Sequence, residues 1–154
     1  MLSNAGHKVT IWSALPAEID ELDKTRRQKN LPNKEIPDEV IFTKNLEKAC
    51  RGKYILLFAV PSVFVRPTAK KAATLVPDNQ ILVDVGKGIE PNTLMTMSEV
   101  IASEIPQAKV VTLSGPTHAE EVAKDLPTTI VAAHEDITIA ETVQEFFKSS
   151  YACL

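Results

Sequence analysis

The sequence predicts an α/β fold: a doubly wound, mostly parallel sheet with helices on both faces. Three observations carry this. Short apolar, β-branched runs alternate along the chain with segments of helical period, the order that builds βαβ units. The run at residues 54–60 is continuously apolar, as expected of a strand covered on both faces, and residues 81–85 are nearly so. Two runs stop at glycine turns, Asp84-Val85-Gly86-Lys87-Gly88 and Leu113-Ser114-Gly115-Pro116-Thr117. Polar groups thus stand just past strand carboxyl ends, where open parallel sheets bind ligands.

The elements follow in order. Residues 1–5 read as the last turn of a helix, with Gly6 in the left-handed position that closes it. Residues 9–12 form a strand. Residues 16–30 are a polar helix: Pro16 suits the first turn, and Glu18, Asp20 and Glu21 lie near the positive end of its dipole. Arg26 and Arg27 belong to its solvated surface. Residues 31–33 and 36–38 are loops punctuated by Pro32 and Pro37. A brief strand at 40–43 and a short helix at 45–51 precede the strand at 54–60, which Pro61 ends. A helix spans 63–75, with Pro67 tolerable only near its start and Lys70 and Lys71 in solvent. After the strand at 81–85, a helix at 94–104 places Leu94, Met97, Ile101 and Ile105 at helical spacing, its methionines filling the core. A strand at 110–113, a helix near 118–124, a strand at 129–133 and an amphipathic helix at 137–148 complete the alternation. Another extended segment begins at Tyr151 and runs to Leu154.

Bulk properties exclude several classes. A length of 154 residues suits one domain. The net charge of -3 gives no electrostatic case for a nucleic acid or an anionic membrane as partner. No apolar run approaches the roughly 20 residues of a membrane span. No basic start and apolar core mark a signal peptide, so the cytoplasm is the expected compartment. Cys50 and Cys153 read as isolated thiols. His7 and His134 have no companion ligands at metal spacing. Ser114 and His118 lack the G-x-S-x-G elbow of a serine hydrolase. Glu120 and Glu121 are adjacent, so they point to different helix faces and cannot form a facing carboxylate pair.

A dinucleotide-binding sheet would open with a strand and a G-x-G-x-x-G turn. The five glycines, Gly6, Gly52, Gly86, Gly88 and Gly115, contain no such turn. Together with the helix tail at the start, this predicts an incomplete Rossmann-like sheet lacking its first strand and glycine loop. In the strand order 3-2-1-4-5-6 that strand is central. Its removal leaves a gap of roughly 10 Å flanked by two unpaired edges. The polypeptide alone is then expected to be poorly stable or prone to aggregate.

At Val85-Gly86-Lys87-Gly88-Ile89-Glu90 and Leu113-Ser114-Gly115-Pro116-Thr117-His118-Ala119-Glu120-Glu121-Val122-Ala123 the sequence resembles NAD(P)-dependent glycerol-3-phosphate dehydrogenases of the bacterial type. The likeness continues through His7-Lys8-Val9-Thr10-Ile11-Trp12, Leu31-Pro32, Ala59-Val60-Pro61-Ser62 and Leu126-Pro127-Thr128-Thr129, in the family's order and spacing. The resemblance implies residues 1–154 of a partial NAD(P)-binding domain, without the helical substrate domain. It implies hydride transfer between NAD(P)H and dihydroxyacetone phosphate, giving sn-glycerol 3-phosphate for phospholipid synthesis. It also implies a homodimer for the full-length enzyme.

Lys87 is the foremost candidate. The flanking glycines let backbone approach a ligand closely, and a fixed cation at a strand end can stabilise charge developing on a substrate carbonyl oxygen. The resemblance assigns Lys87 to both cofactor and substrate. Thr117-x-x-Glu120 is a capping box, and a well-capped helix start also offers N–H groups to an anion. The resemblance places substrate against Gly115 and Thr117 and cofactor near Ala119. Pro61 lines the cofactor groove. Ala14 stands where the family commonly carries histidine or arginine, which leaves NAD and NADP both open. Trp12 is read as packing rather than adenine stacking. The lysine that protonates the new alkoxide belongs, by resemblance, to the helical domain and is expected beyond Leu154, so no catalytic proton donor is assigned within these residues. Two other readings remain: a related β-hydroxyacid-type dehydrogenase, and a non-catalytic module that binds nucleotide or anion.

Overall fold

A computed structural model of the chain describes residues 2–115 and 129–148. The helix expected near 118–124 lies outside the described residues, and so does the extended segment expected at 151–154, Leu154 included. At the start, the Gly6 amide donates to the Ser3 carbonyl at 2.8 Å and the His7 amide to the Leu2 carbonyl at 3.1 Å. Gly6 has φ 88°. This pair of bonds has the Schellman pattern that closes helix ends, but residues 2–6 form a turn rather than the last turn of a helix, and the turn directs the chain into β1 (Thr10–Trp12).

β1 pairs in parallel with β4 (Ile41–Thr43). The intervening segment departs from the sequence reading. α1 (Pro16–Thr25) stops well before Asn30, because Arg26 takes φ 52° as a left-handed C-cap. The chain then folds into an antiparallel hairpin, β2 (Arg27–Gln28) and β3 (Leu31–Glu35), where loops were expected. Arg26 and Arg27 are therefore not helix surface. The Arg26 guanidinium donates to the Val40 carbonyl at 2.7 Å and lies 4.9 Å from the Phe42 ring centroid. Those partners are remote in sequence, so local helical propensity loses to a tertiary anchor.

α2 (Leu46–Cys50) is capped by Asn45, whose Oδ1 accepts the Lys48 amide at 3.0 Å. It leads to the second sheet, β5 (Ile55–Phe58), β6 (Ile81–Asp84), β7 (Lys109–Ser114) and β8 (Val131–Ala133), hydrogen-bonded in that order. The first three strands are parallel and β8 is antiparallel to β7. Successive β6 residues face opposite layers, as strand pleating requires. Leu82 joins the core beneath α3 (Ser62–Ala72) and α4 (Met97–Glu104), together with Val65, Ala69 and Ile101. Val83 joins the core beneath α5 (Ile137–Lys148), with Val143 and Phe147.

Three details correct the sequence reading. β5 is not covered on both faces, since Leu57 is 41% exposed. Pro67 lies inside α3 rather than near its start; the carbonyl it leaves without an N–H partner belongs to Val63, an exposed residue that water can serve. Leu94 is outside α4, in a left-handed conformation with φ 59° and 70% exposed. The helix begins instead after Thr96, whose hydroxyl and the Glu99 carboxylate form a reciprocal capping box. That capping outweighs the apolar spacing of Leu94.

The two parallel units do not join. Among the described residues, β1 has β4 as its strand partner and β5 has β6. Their other edges look into one cavity of about 460 Å³, lined by residues that include Leu2, His7, Ile11, Trp12, Leu57 and Phe147. The gap expected in the sheet is present.

Candidate functional site

The site is built by strand register. Phe58 pairs with Asp84, and Asp84 pairs with Thr112, forming one row across three neighbouring parallel strands. Pro61, Lys87 and Gly115 each stand three residues beyond that row. All three therefore leave the sheet at its carboxyl rim, the side on which open parallel sheets bind ligands. Lys87 is exposed there. Ala14 is also exposed, two residues past Trp12 on the other sheet. Thr117 and Ala119 lie outside the described residues, so the structure does not test their pairing with Lys87. The proton-donor lysine expected beyond Leu154 is likewise not among the described residues, and no described residue is assigned its role.

The two glycines around Lys87 have different uses. Gly88 has φ 105°, and a Cβ placed there would meet nothing within 4 Å. Its bare backbone borders open space, as a close ligand approach requires. A Cβ on Gly86 would lie 2.8 Å from Asp84 Oδ1 and 3.3 Å from Met97 Cγ. Gly86 makes room for the protein itself, a correction to its expected ligand role. Gly115 is similar: a Cβ would fall 2.4 Å from the Thr129 carbonyl oxygen. It is glycine because the strand end entering β8 passes across it.

Two groups that the sequence reading passed over hold the Lys87 turn. Asp84 is 2% exposed, and its Oδ1 accepts the Gly86 amide at 2.8 Å. Burial pushes the Asp84 carboxyl above its usual range, partly opposed by that amide. The available signal was a charged residue inside the apolar run Ile81-Leu82-Val83-Asp84-Val85. On the far side of the turn, Arg66 on α3 forks onto Glu90 and also donates to Glu104 on α4. Arg66 hydrogen bonds, then the Thr93 hydroxyl, hold the Glu90 carboxyl down at about 2. The turn closes on itself through an antiparallel bridge between Ile89 and Thr96. No sequence signal links Arg66 to Glu90, since the partners are 24 positions apart.

Pro61 is the N-cap of α3 and has no side-chain hydrogen bond to give it. Its carbonyl instead accepts the Phe64 amide at 2.8 Å. Trp12 is half-buried at the end of β1, and its indole N–H donates to the Lys44 carbonyl at 3.3 Å. No helix among the described residues is long and apolar enough to cross a membrane.

The family described as NAD-dependent glycerol-3-phosphate dehydrogenase N-terminus matches residues 1–140. The chain belongs to that family. It is 63% identical over 153 residues to glycerol-3-phosphate dehydrogenase (NAD(P)+) 2 of Lactobacillus delbrueckii subsp. bulgaricus, covering 96% of this chain and 45% of that protein. The dehydrogenase of Agathobacter rectalis is 49% identical over 148 residues, covering 96% and 44%. The crystal structure of glycerol-3-phosphate dehydrogenase from Coxiella burnetii superposes with a TM-score of 0.85 at 25% identity, covering 94% of this chain and 45% of that one. The chain thus spans less than half the length of these relatives. It carries the dehydrogenase family's Rossmann-like α/β architecture with a mostly parallel sheet, and only part of a full member.

Proposed function

We propose that this chain forms the nicotinamide and substrate rim of a glycerol-3-phosphate dehydrogenase. The reaction is hydride transfer between NAD(P)H and dihydroxyacetone phosphate, giving sn-glycerol 3-phosphate for phospholipid synthesis. The observation that carries the reading is the common register of Pro61, Lys87 and Gly115 past one ladder row. When bound, the reduced nicotinamide supplies the hydride. Lys87 holds a positive charge at the rim, where it stabilises the oxygen that gains negative charge. Gly88 leaves space for close approach of a ring or phosphate. Gly115 and Thr117 receive the substrate, and Pro61, Ala14 and Ala119 border the cofactor.

The residues present fit the nicotinamide end of the cofactor. They do not supply a pyrophosphate cradle, because no G-x-G-x-x-G run occurs among the 154 residues. Either NAD or NADP is accommodated in this reading, since Ala14 offers neither an acid for a ribose nor a base for a 2′-phosphate. The working enzyme acts in the cytoplasm on a small phosphorylated substrate, as a homodimer, and takes its proton donor from a lysine beyond Leu154. These residues by themselves are expected to give no turnover.

Titration calorimetry with NADH and with glycerol 3-phosphate tests the reading. Weak glycerol 3-phosphate binding that Lys87→Ala abolishes supports it. In a full-length enzyme carrying this segment, Lys87→Ala should lower kcat by about 100-fold, the scale for losing one charge-stabilising group. Unchanged kinetics in that variant would remove Lys87 from the site. Nucleotide binding that persists without turnover in the full-length protein would favour the non-catalytic module.

A further inference from the structure

We propose that Asp84 is a positioning residue for Lys87: through the Gly86 amide it fixes the backbone from which the Lys87 side chain departs, and so sets the rate of hydride transfer. The inference rests on the dehydrogenase reading and deepens it, since it names the group that holds the rim's charge in place.

The Val85 amide still donates to the Phe58 carbonyl at 3.2 Å, continuing the parallel ladder one residue past β6. The next amide, Gly86, leaves the ladder and donates to Asp84 Oδ1 at 2.8 Å. Among the described residues, no other acceptor takes that amide. Lys87 comes next, so its direction of departure is set by the peptide that Asp84 holds. A Cβ at Gly86 would meet Asp84 Oδ1 and two Met97 carbons, at 2.8, 3.3 and 3.4 Å. The peptide is therefore pressed against α4 as well as tied to Asp84.

The same device ends β4 with a neutral acceptor. Thr43 is the last residue of that strand, is buried, and accepts the Asn45 amide on its hydroxyl at 3.1 Å. Thr43 and Asp84 are the buried polar side chains among the described residues. A hydroxyl thus suffices to turn a chain off a parallel strand. Asp84 does the task with a carboxyl on the Leu82 face of the sheet, towards the apolar layer beneath α3 and α4, where burial disfavours it. A charged acceptor holds an amide more strongly than a neutral one. The stronger, more destabilising acceptor stands where Lys87 follows, and the neutral one where α2 follows. A local rule broken beside a candidate site, at a cost to the fold, is the pattern of a functional constraint. The far end of the turn is held separately, by the Arg66 fork on Glu90. Asp84 acts on the near side, next to Lys87.

The test uses a full-length dehydrogenase carrying this segment. Asp84→Leu removes the acceptor at similar volume, and Asp84→Asn keeps one. In Asp84→Leu, kcat and kcat/KM for dihydroxyacetone phosphate should fall together by about tenfold, within the roughly 100-fold that a misplacement of about 1 Å can cost. The NADH Kd, measured by titration, should stay within about twofold, because the cofactor keeps its other contacts. Amides of Gly86 and Lys87 should exchange about tenfold faster, while those of β7 hold. Asp84→Asn should recover most of both losses. The deciding measurement is a double-mutant cycle: in a Lys87→Ala background, the effect of Asp84→Leu on kcat should shrink to less than about twofold, since the two residues act as one unit. If Asp84→Leu lacks the parent's thermal transition, Asp84→Ala takes its place in the cycle. Parental kcat in Asp84→Leu, Asp84→Asn as slow as Asp84→Leu, or an equal loss in both backgrounds overturns the proposal and leaves Lys87 in the site. Unchanged kinetics in Lys87→Ala removes Lys87 from the site, and this inference with it.

Discussion

Arg66 and Glu90 are joined by two parallel hydrogen bonds, Nε to Oε1 at 2.7 Å and Nη2 to Oε2 at 2.6 Å. The planar guanidinium meets the planar carboxylate edge to edge, a geometry that lysine cannot reproduce. Because Glu90 follows Gly88 by two residues, this fork anchors the distal side of the turn that carries Lys87.

Removing the fork should loosen that turn. Arg66→Ala leaves two half-buried carboxylates, Glu90 and Glu104, facing each other without their shared cation. Tm should fall, and amides of residues 88–93 should exchange faster while those of β7 hold. Arg66→Lys should recover less than half of the loss. Equal exchange in all three proteins would show that the turn is held by its own backbone.

The same pair sets an acid limit. The Glu90 carboxyl lies at about 2 in the folded chain, below its ordinary value of 4.5. A depressed value stabilises the fold above the ordinary value, and that contribution drains away as pH falls from about 4.5 towards about 2. Glu90→Gln should therefore flatten the loss of Tm across that window. An unchanged acid profile would place the pH dependence elsewhere.

Asp84 acts in the opposite sense. Its carboxyl is raised above 3.8, chiefly by burial. A raised value means that the folded chain holds a proton the unfolded chain has released, so stability declines as pH climbs from about 3.8 through the folded value. Asp84→Asn keeps an oxygen for the Gly86 amide and removes the charge. Its Tm should exceed that of the parent at pH 7, and the difference should shrink as pH falls towards 4. A constant difference at every pH would exclude the charge as the cause.

Glycine substitutions should separate two kinds of constraint. Gly115→Ala places a methyl 2.4 Å from the Thr129 carbonyl oxygen, a backbone atom that cannot swing away. The cost should be about 2 kcal/mol or more, read from denaturant midpoints. Gly88→Ala meets no neighbour, but at φ 105° it should still cost about 1–2 kcal/mol through backbone strain alone. If Gly115→Ala is the milder of the two, the chain entering β8 does not press on that position.

The open sheet predicts marginal behaviour for the isolated chain. Among the described residues, β1 and β5 each have one edge without a ladder partner. Thermal unfolding should be broad, or accompanied by aggregation. A sharp, cooperative transition of a soluble monomer of these 154 residues would refute this expectation.

The strands around Lys87 were legible because each signal is local. A β-branched run must be a strand, and a glycine pair after it must be a turn. Gly6 could likewise be read as a left-handed stop, and the structure supplies both bonds of the closure, in a turn rather than at a helix end. The hairpin at Arg27–Glu35 was not legible. Its trigger, the Arg26 guanidinium on the Val40 carbonyl and the Phe42 ring, depends on residues 14 and 16 positions away. Leu94 misled for a related reason: its spacing fits the helix, but the capping box at Thr96 and Glu99 fixes the start three residues later, at Met97.

The sequence alone determined the alternation of strands and helices, the gap between the two parallel units, and the positions of Lys87 and Gly115 at strand ends. These follow from short-range sterics and from the period of apolar side chains, which act between near neighbours. Only the tertiary structure decided that Pro61, Lys87 and Gly115 share one rim, that Asp84 and Arg66 brace the turn between them, and that β1 and β5 present open edges to one cavity. Those facts depend on register and packing between segments far apart in the chain, and the free energy that sets them exists only once the layers have met.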